Sequence, residues 1–317
     1  MYLIPSQTIH LRQQLDNCPV DHDAVKLALG SFITAGLLLS YVPQFIKIVQ
    51  RKTSEGLSLW FLFLGAVGMA STVGNMALLQ YPYVLCCKRP TWTPLMCFEN
   101  TLGLTQVGIQ TVCFMTCVLL YYAYYPTAKK HIPNTVPPAY TSQWRRSLYI
   151  GCIIIIWTVI LTVGVIAILT IDADALGYSR TAEWVAGVLG LIAMQTSLMQ
   201  FFPQIVHTWF AKAVGALSIP TMLMQCPGSF IFVYSLAVQP GANWTSWLPY
   251  LVSGVLQGVL LTMCIVFSMR NKEDLEDGVQ APLLGPADEG VDVQVEDQIL
   301  ADGNAPDYGT IASKAER

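Results

Sequence analysis

The chain has 317 residues, of which 54% are hydrophobic and 12% charged, with a mean hydropathy of +0.50. Soluble domains carry about 25% charged residues, so this composition excludes a soluble globular protein and identifies an integral membrane protein. The net charge of −3 hides an asymmetry: from Arg270 onward there are 12 acids against 4 bases, and before it 8 acids against 13 bases. The membrane body is therefore mildly basic, the tail is acidic, and no nucleic-acid partner is expected.

Residues 1–26 carry Asp16, Asp21 and Asp23 and lack a basic region followed by an apolar core and a small-residue cleavage site, so no cleavable signal peptide is expected. Seven apolar runs then meet the length of about 20 residues that a bilayer core demands. They are Leu27 to Val49, Leu57 to Leu79, Thr101 to Tyr125, Ser147 to Ile171, Trp184 to Phe210, Leu217 to Val238 and Trp244 to Met269. Five contain no charged or histidine side chain; Lys47 and His207 are the exceptions, each just beyond a Pro-Gln pair, where it can reach the interface.

Those pairs mark an internal repeat. Pro43, Gln44, Lys52, Leu57 and Ser58 recur at one fixed offset as Pro203, Gln204, Lys212, Leu217 and Ser218. A proline inside a helix removes a hydrogen bond and clashes with the preceding turn, at roughly 3 kcal/mol in water; in a membrane such a break marks a moving part or a cavity. The expected fold is all-α: three helices (27–125), a connector segment (126–183) whose helix is 147–171, three more helices (184–269), and a disordered acidic tail (270–317). With one connector helix, both copies insert in the same sense, so the repeat is parallel.

Lys47, Arg51, Lys52, Lys129, Lys130, Arg145, Arg146, Lys212, Arg270 and Lys272 fall on one side of the membrane, and Arg12, Lys26, Lys88, Arg89 and Arg180 on the other. Basic loops stay cytosolic, which places the tail in the cytosol and the N-terminus in the lumen or outside. Cys18, Cys86, Cys87 and Cys97 share the lumenal side; pairing in an oxidising compartment and unpaired small apolar residues both remain open. Asn243-Trp244-Thr245 is a glycosylation pattern on that same side, close to the seventh helix. Residues 126–138 read as an irregular cytosolic loop. In the tail, Leu283-Leu284 and Tyr308-Gly309-Thr310-Ile311 resemble endosomal sorting signals, which implies sorting adaptors as partners.

Two Pro-Gln motifs in the first and fifth of seven helices, each followed by a basic turn and Gly/Ala-Leu-Ser, resemble the PQ-loop repeat family, which includes cystinosin, the lysosomal and vacuolar basic amino-acid exporters and, more distantly, the SWEET carriers. The resemblance covers residues 28–269. It implies two parallel three-helix bundles joined by a linker helix around a central substrate path, with Pro43, Gln44, Pro203 and Gln204 acting as hinges. The basic amino-acid branch tends to carry an acid after a glycine in the second helix. Here the matching pairs are Gly68-Met69 and Gly228-Ser229, so the fixed anion is missing at that point.

Polar residues at helical spacing supply the candidate substrate path. On the third helix Glu99, Gly103, Gln106, Gln110, Cys113 and Cys117 share a face, and on the seventh Ser246, Tyr250, Ser253, Gln257 and Cys264 do. Asn75, deep in the second helix and matched by Ser235, is a further binding candidate, and Gln225 lies beside the helix breaks at Pro220 and Pro227. Such groups can equally serve as glue between helices, at about 0.6 kcal/mol each. Glu99 and His207 are the candidates for proton coupling in an acidic compartment.

No metal-ligand spacing, phosphate-cradling loop or Ser-His-Asp set stands out, so neither an enzyme nor a bound cofactor is expected. The sequence reads as a transporter of a small polar solute, an amino acid above all, with a cationic one among the options, exporting it from a vacuole or lysosome by alternating access, with proton coupling as a further option. The competing reading is a non-transporting protein of trafficking, sorting or lipid handling on the same fold.

Overall fold

The computed structural model describes residue 18 and residues 23–54, 57–131, 140–171, 180–211 and 219–276. The second-copy Lys212, Leu217 and Ser218, the two sorting-like patches and the rest of the tail lie outside the described residues, as does the side chain of His207.

Each predicted run forms a helix where its caps allow. Helix α1 is Ala24–Arg51; Asp23 precedes it and accepts the N–H groups of Val25 and Lys26 at 3.0 and 3.3 Å, satisfying donors left open at a helix start. It ends at Lys52, whose φ of 50° is left-handed, the conformation that closes a helix. Helix α2, Leu59–Cys86, is capped by Ser58. A short helix α3, Pro94–Asn100, follows, then α4, Leu102–Ala123. The four-residue α5, Thr127–Lys130, and a bridge between His131 and Tyr140 lead to α6, Ser142–Ile171. The last three are α7 (Arg180–Ala211), α8 (Ile219–Ala237) and α9 (Trp244–Glu276).

Six of these are long and apolar enough to cross a membrane; the remaining predicted run, the sixth, is α8, with 19 residues. At 1.5 Å per residue it measures about 28 Å, close to a bilayer core. Large apolar side chains lie bare on the outside, Tyr149, Ile155 and Ile160 of α6 among them. In water such a surface is a liability, and in lipid it is the required exterior.

Three boundaries differ from the sequence reading. The third run forms α4, but the chain turns at Thr101 just before it, so Glu99 belongs to α3 and not to the stripe on α4. The loop after Pro126 contains α5 and the bridge, held by Thr141 donating its hydroxyl to the Lys129 carbonyl at 2.6 Å and by Lys130 over the Trp144 ring at 4.8 Å. Helix α9 continues to Glu276, past the expected start of the tail.

Packing repeats as the sequence does. In the first copy α4 lies between α1 and α2, and in the second α9 lies between α7 and α8. The copies join chiefly through α2 against α7, while α1 and α8 touch little, and α6 packs on α2. Two disulfides, Cys18–Cys86 and Cys87–Cys97, tie α3 and the segment before α1 to the end of α2, settling the pairing that spacing left open. Trp92 donates its indole N–H to the Cys18 carbonyl at 3.3 Å beside them. This end of the bundle is the disulfide face; the opposite end, beyond Pro43 and Pro203, is the Pro-Gln face.

Candidate functional site

The polar side chains of the body collect along the boundary between the two copies. Nearest the disulfide face, Asn75 of α2 is fully buried and donates its amide N–H groups to the Ala186 carbonyl of α7 at 2.7 Å and to Thr245 Oγ1 of α9 at 3.0 Å. Gln106 of α4 is also fully buried; it donates to the Gly30 carbonyl of α1 at 3.1 Å and exchanges hydrogen bonds with the Ser235 hydroxyl of α8 at 3.3 and 3.4 Å. Gln80 adds a third tie, accepting from the Leu104 N–H at 2.9 Å and donating to the Pro240 carbonyl at 3.3 Å. Buried amides are costly unless paired, and these pair across elements far apart in sequence. Asn75 Oδ1 and Gln239 Oε1 are buried without a partner.

One level deeper, Tyr250 of α9 donates its hydroxyl to Gln110 Oε1 of α4 at 2.9 Å, and its ring packs on Phe232 of α8 at 4.7 Å. Tyr41 of α1, the residue that opens the first Pro-Gln motif, lies in the electrostatic neighbourhood of Tyr250, Cys113 and Cys117. This central tier draws on both copies. Gln257, expected opposite Gln110, donates instead to Ser253 of its own helix at 3.5 Å, and its Oε1 is buried without a partner.

Toward the Pro-Gln face, Gln200 of α7 donates to the Phe61 carbonyl of α2 at 3.0 Å, closing the α2–α7 boundary. Pro43, Gln44 and Pro203 are exposed and Gln204 half-buried, and both prolines lie inside their helices. Gln225 is exposed on α8, apart from the polar tiers.

Glu99 is buried, and its Oε1 accepts the backbone N–H of Asp23 at 2.6 Å, so it helps to fix the start of α1. Thr245, the third residue of the glycosylation pattern, is buried and engaged by Asn75, while Asn243 accepts the N–H of Trp244 at 2.7 Å. Among the described residues no group of three His, Cys, Asp or Glu side chains converges to hold a metal.

Sequence reasoning missed Gln80, Gln200, Thr245 and the pair Gly30 and Gly190. The glycines were within reach, because they stand at the same offset as Pro43 and Pro203. At Gly190 a Cβ would meet the Thr245 carbonyl oxygen at 2.5 Å and Asn75 Nδ2 at 3.1 Å; at Gly30 it would meet Leu102 at 2.7 Å and Gln106 Nε2 at 3.4 Å. At Gly190 only glycine allows the approach, because the obstacle is backbone, whereas at Gly30 the end of the Leu102 side chain would have to shift.

The architecture defines a multi-pass helical membrane protein made of two copies of one three-helix unit. The PQ loop repeat model matches residues 27–85 and 185–245, the first two helices of each copy. An uncharacterized protein from Schizosaccharomyces pombe is 34% identical over 280 residues, which is 83% of this chain and 88% of that protein. The chain belongs to the PQ-loop repeat family.

Proposed function

We propose that the protein is a transporter that moves a small polar solute of the amino-acid class, and exports it from a vacuole- or lysosome-like compartment by alternating access. The observation that carries this reading is the line of amides and hydroxyls between the two copies, in which the fully buried Asn75 Oδ1 has no donor. A buried acceptor without a partner costs free energy that a ligand's ammonium or hydroxyl group recovers. The lining is uncharged: Gln110 and Tyr250 supply dipoles, and methionine and serine stand at Met69 and Ser229 where an anion would select a cation. Such a path favours a zwitterion or a neutral polar solute over a bare cation, as a desolvated charge needs a counter-charge.

In this reading the Pro-Gln face is cytosolic, Pro43 and Pro203 are hinges, and chemistry on the solute is absent. Glu99 and His207 are the groups available to couple protons. The tail patches supply the argument for the vacuolar or lysosomal membrane, through cytosolic sorting adaptors.

The test is uptake by proteoliposomes of the purified protein across a panel of neutral, cationic and anionic amino acids and sugars, at two internal pH values. Saturable movement of one amino-acid class supports the proposal. Folded protein that moves nothing on the panel favours the alternative, a trafficking or lipid-handling role.

A further inference from the structure

The deepest ties between the two copies form a symmetric pair. Asn75 and Ser235 occupy the same position in the two copies, and so do Gly30 and Gly190. In one tie, Ser235 of the second copy meets Gln106, which also holds the Gly30 carbonyl. In the other, Asn75 of the first copy meets Thr245 and the Ala186 carbonyl, one turn before Gly190. Each tie thus joins the second helix of one copy to the first and third helices of the other. The amide sits on the third helix in one tie and on the second in its counterpart, and the carbonyl it holds shifts by one turn, from Gly30 to the residue four before Gly190.

Both lie in the half of the bundle toward the disulfide face, and the apolar packing follows the same division. One cluster there joins Met76 and Val107 of the first copy to Phe232 and Leu236 of the second, and another joins Leu78 and Leu79 to Ala186 and Leu189. Toward the Pro-Gln face the clusters stay within a copy. Leu62, Ala66, Phe114 and Val118 pack together with Ile154 of α6, while Met222, Leu260, Leu261 and Cys264 pack among themselves. Between α1 and α8 the same division holds among the described residues: Ile33 and Leu37 of α1 pack on the cluster that contains Phe232 and Leu236 of α8, and no cluster joins these two helices toward the Pro-Gln face.

We propose that Asn75 with Thr245, and Gln106 with Ser235, are two symmetry-related latches that seal the disulfide face, and that the structure is the state sealed there and parted between α1 and α8 at the Pro-Gln face. This rests on the transport reading and deepens it by giving Asn75 two roles: its amide N–H groups hold the latch, and its Oδ1 stays the acceptor open to the solute. Asn75 and Gln106 hold the closed state, and Gln110 and Tyr250 lie behind them on the path. Opening toward the disulfide face requires both latches to part together, because both bridge the same two rigid units.

The test reads position, not transport. A cysteine at Leu37, inward on α1 just behind the latches, is labelled with a membrane-impermeant maleimide added from the disulfide face of sealed vesicles, with labelling of that peptide quantified by mass spectrometry. Ser235→Ala combined with Thr245→Val removes the two hydroxyls with little change of shape. Labelling should rise about eightfold, from the loss of two interhelical side-chain pairings of average strength in a membrane protein, and should fall from the Pro-Gln face. A rate within about twofold of the parent from both faces overturns the latch. If the double variant does not fold, either single change should give about a threefold rise, and no rise in either also overturns it. The outcomes separate the two proposals. Faster labelling in a protein that transports nothing leaves the latch and removes the transporter, whereas transport with unchanged labelling does the reverse.

Discussion

At the scale of single residues, the decisive positions are those where a small or polar side chain lets the two copies touch. Gly190 is the sharpest case, since a methyl group there would press on the backbone oxygen of Thr245 at 2.5 Å, which no rotamer change relieves. Gly190→Ala should therefore destabilise the protein by about 1–3 kcal/mol. Gly187→Ala, one turn earlier with nothing within 4 Å, should be neutral or gain up to about 1 kcal/mol from helix propensity. Thermal unfolding of both in detergent checks this, and equal midpoints would mean that the close approach at Gly190 is not a constraint. Asn75 and Gln106 were visible in the sequence as polar groups inside apolar runs, because hydrophobic periodicity exposes any amide out of place. Their pairings were not visible, although the repeat offset matches Ser235 to Asn75. Ala186, Thr245, Gly30 and Ser235 are chosen by packing between distant helices, and a carbonyl acceptor leaves no trace in the residue that offers it. Glu99 was misassigned for a related reason: its spacing to Gly103 assumes one unbroken helix, and the chain turns at Thr101.

Whole elements were easier to read than their ends. The helical runs and the repeat follow from apolar length and one fixed offset, both local properties. The extension of α9 to Glu276 and the α5 turn depend on caps and ring contacts that hydropathy does not register. Two predictions belong at this scale. Pro43 and Pro203 each lack the N–H that would bond the preceding turn, so the segment beyond can swing. Alanine at either should leave a folded, correctly located protein with a much lower transport rate, because one of two states becomes costly. Changes at Gln110 or Gln257 should raise KM first. Normal transport by the alanine variants, or a defect explained by loss of protein, would show the prolines to be structural. The disulfides form the second prediction. Chain entropy makes the bond across 68 residues, Cys18–Cys86, worth about 4 kcal/mol and that across 10, Cys87–Cys97, about 3 kcal/mol. Paired serine substitutions should lower the unfolding midpoint in that order. The reverse order would place the stabilisation in the α3 contacts instead of the closed loop.

For the molecule as a whole, the remaining question is which face meets the cytosol, and two independent arguments agree. Charge is the first: Lys47, Arg51, Lys129, Lys130, Arg145 and Arg146 flank the helices on the Pro-Gln face, while Lys26, Lys88 and Arg89 flank them on the other, and basic segments resist translocation. The second is redox chemistry, since two disulfides on one face are at home in an oxidising lumen or exterior and not in a reducing cytosol. The family match and the packing are indifferent to this choice, because a parallel repeat turned over is still a parallel repeat. We therefore expect a cysteine introduced at Lys52 or Lys130 to be labelled by an impermeant maleimide only after the plasma membrane is opened and with organelles intact. One at Lys88 should stay protected until the organelle itself is lysed. Labelling of residue 130 from the lumen would reverse the topology, and with it the proposed direction of export, since the face proposed to be latched would then open to the cytosol.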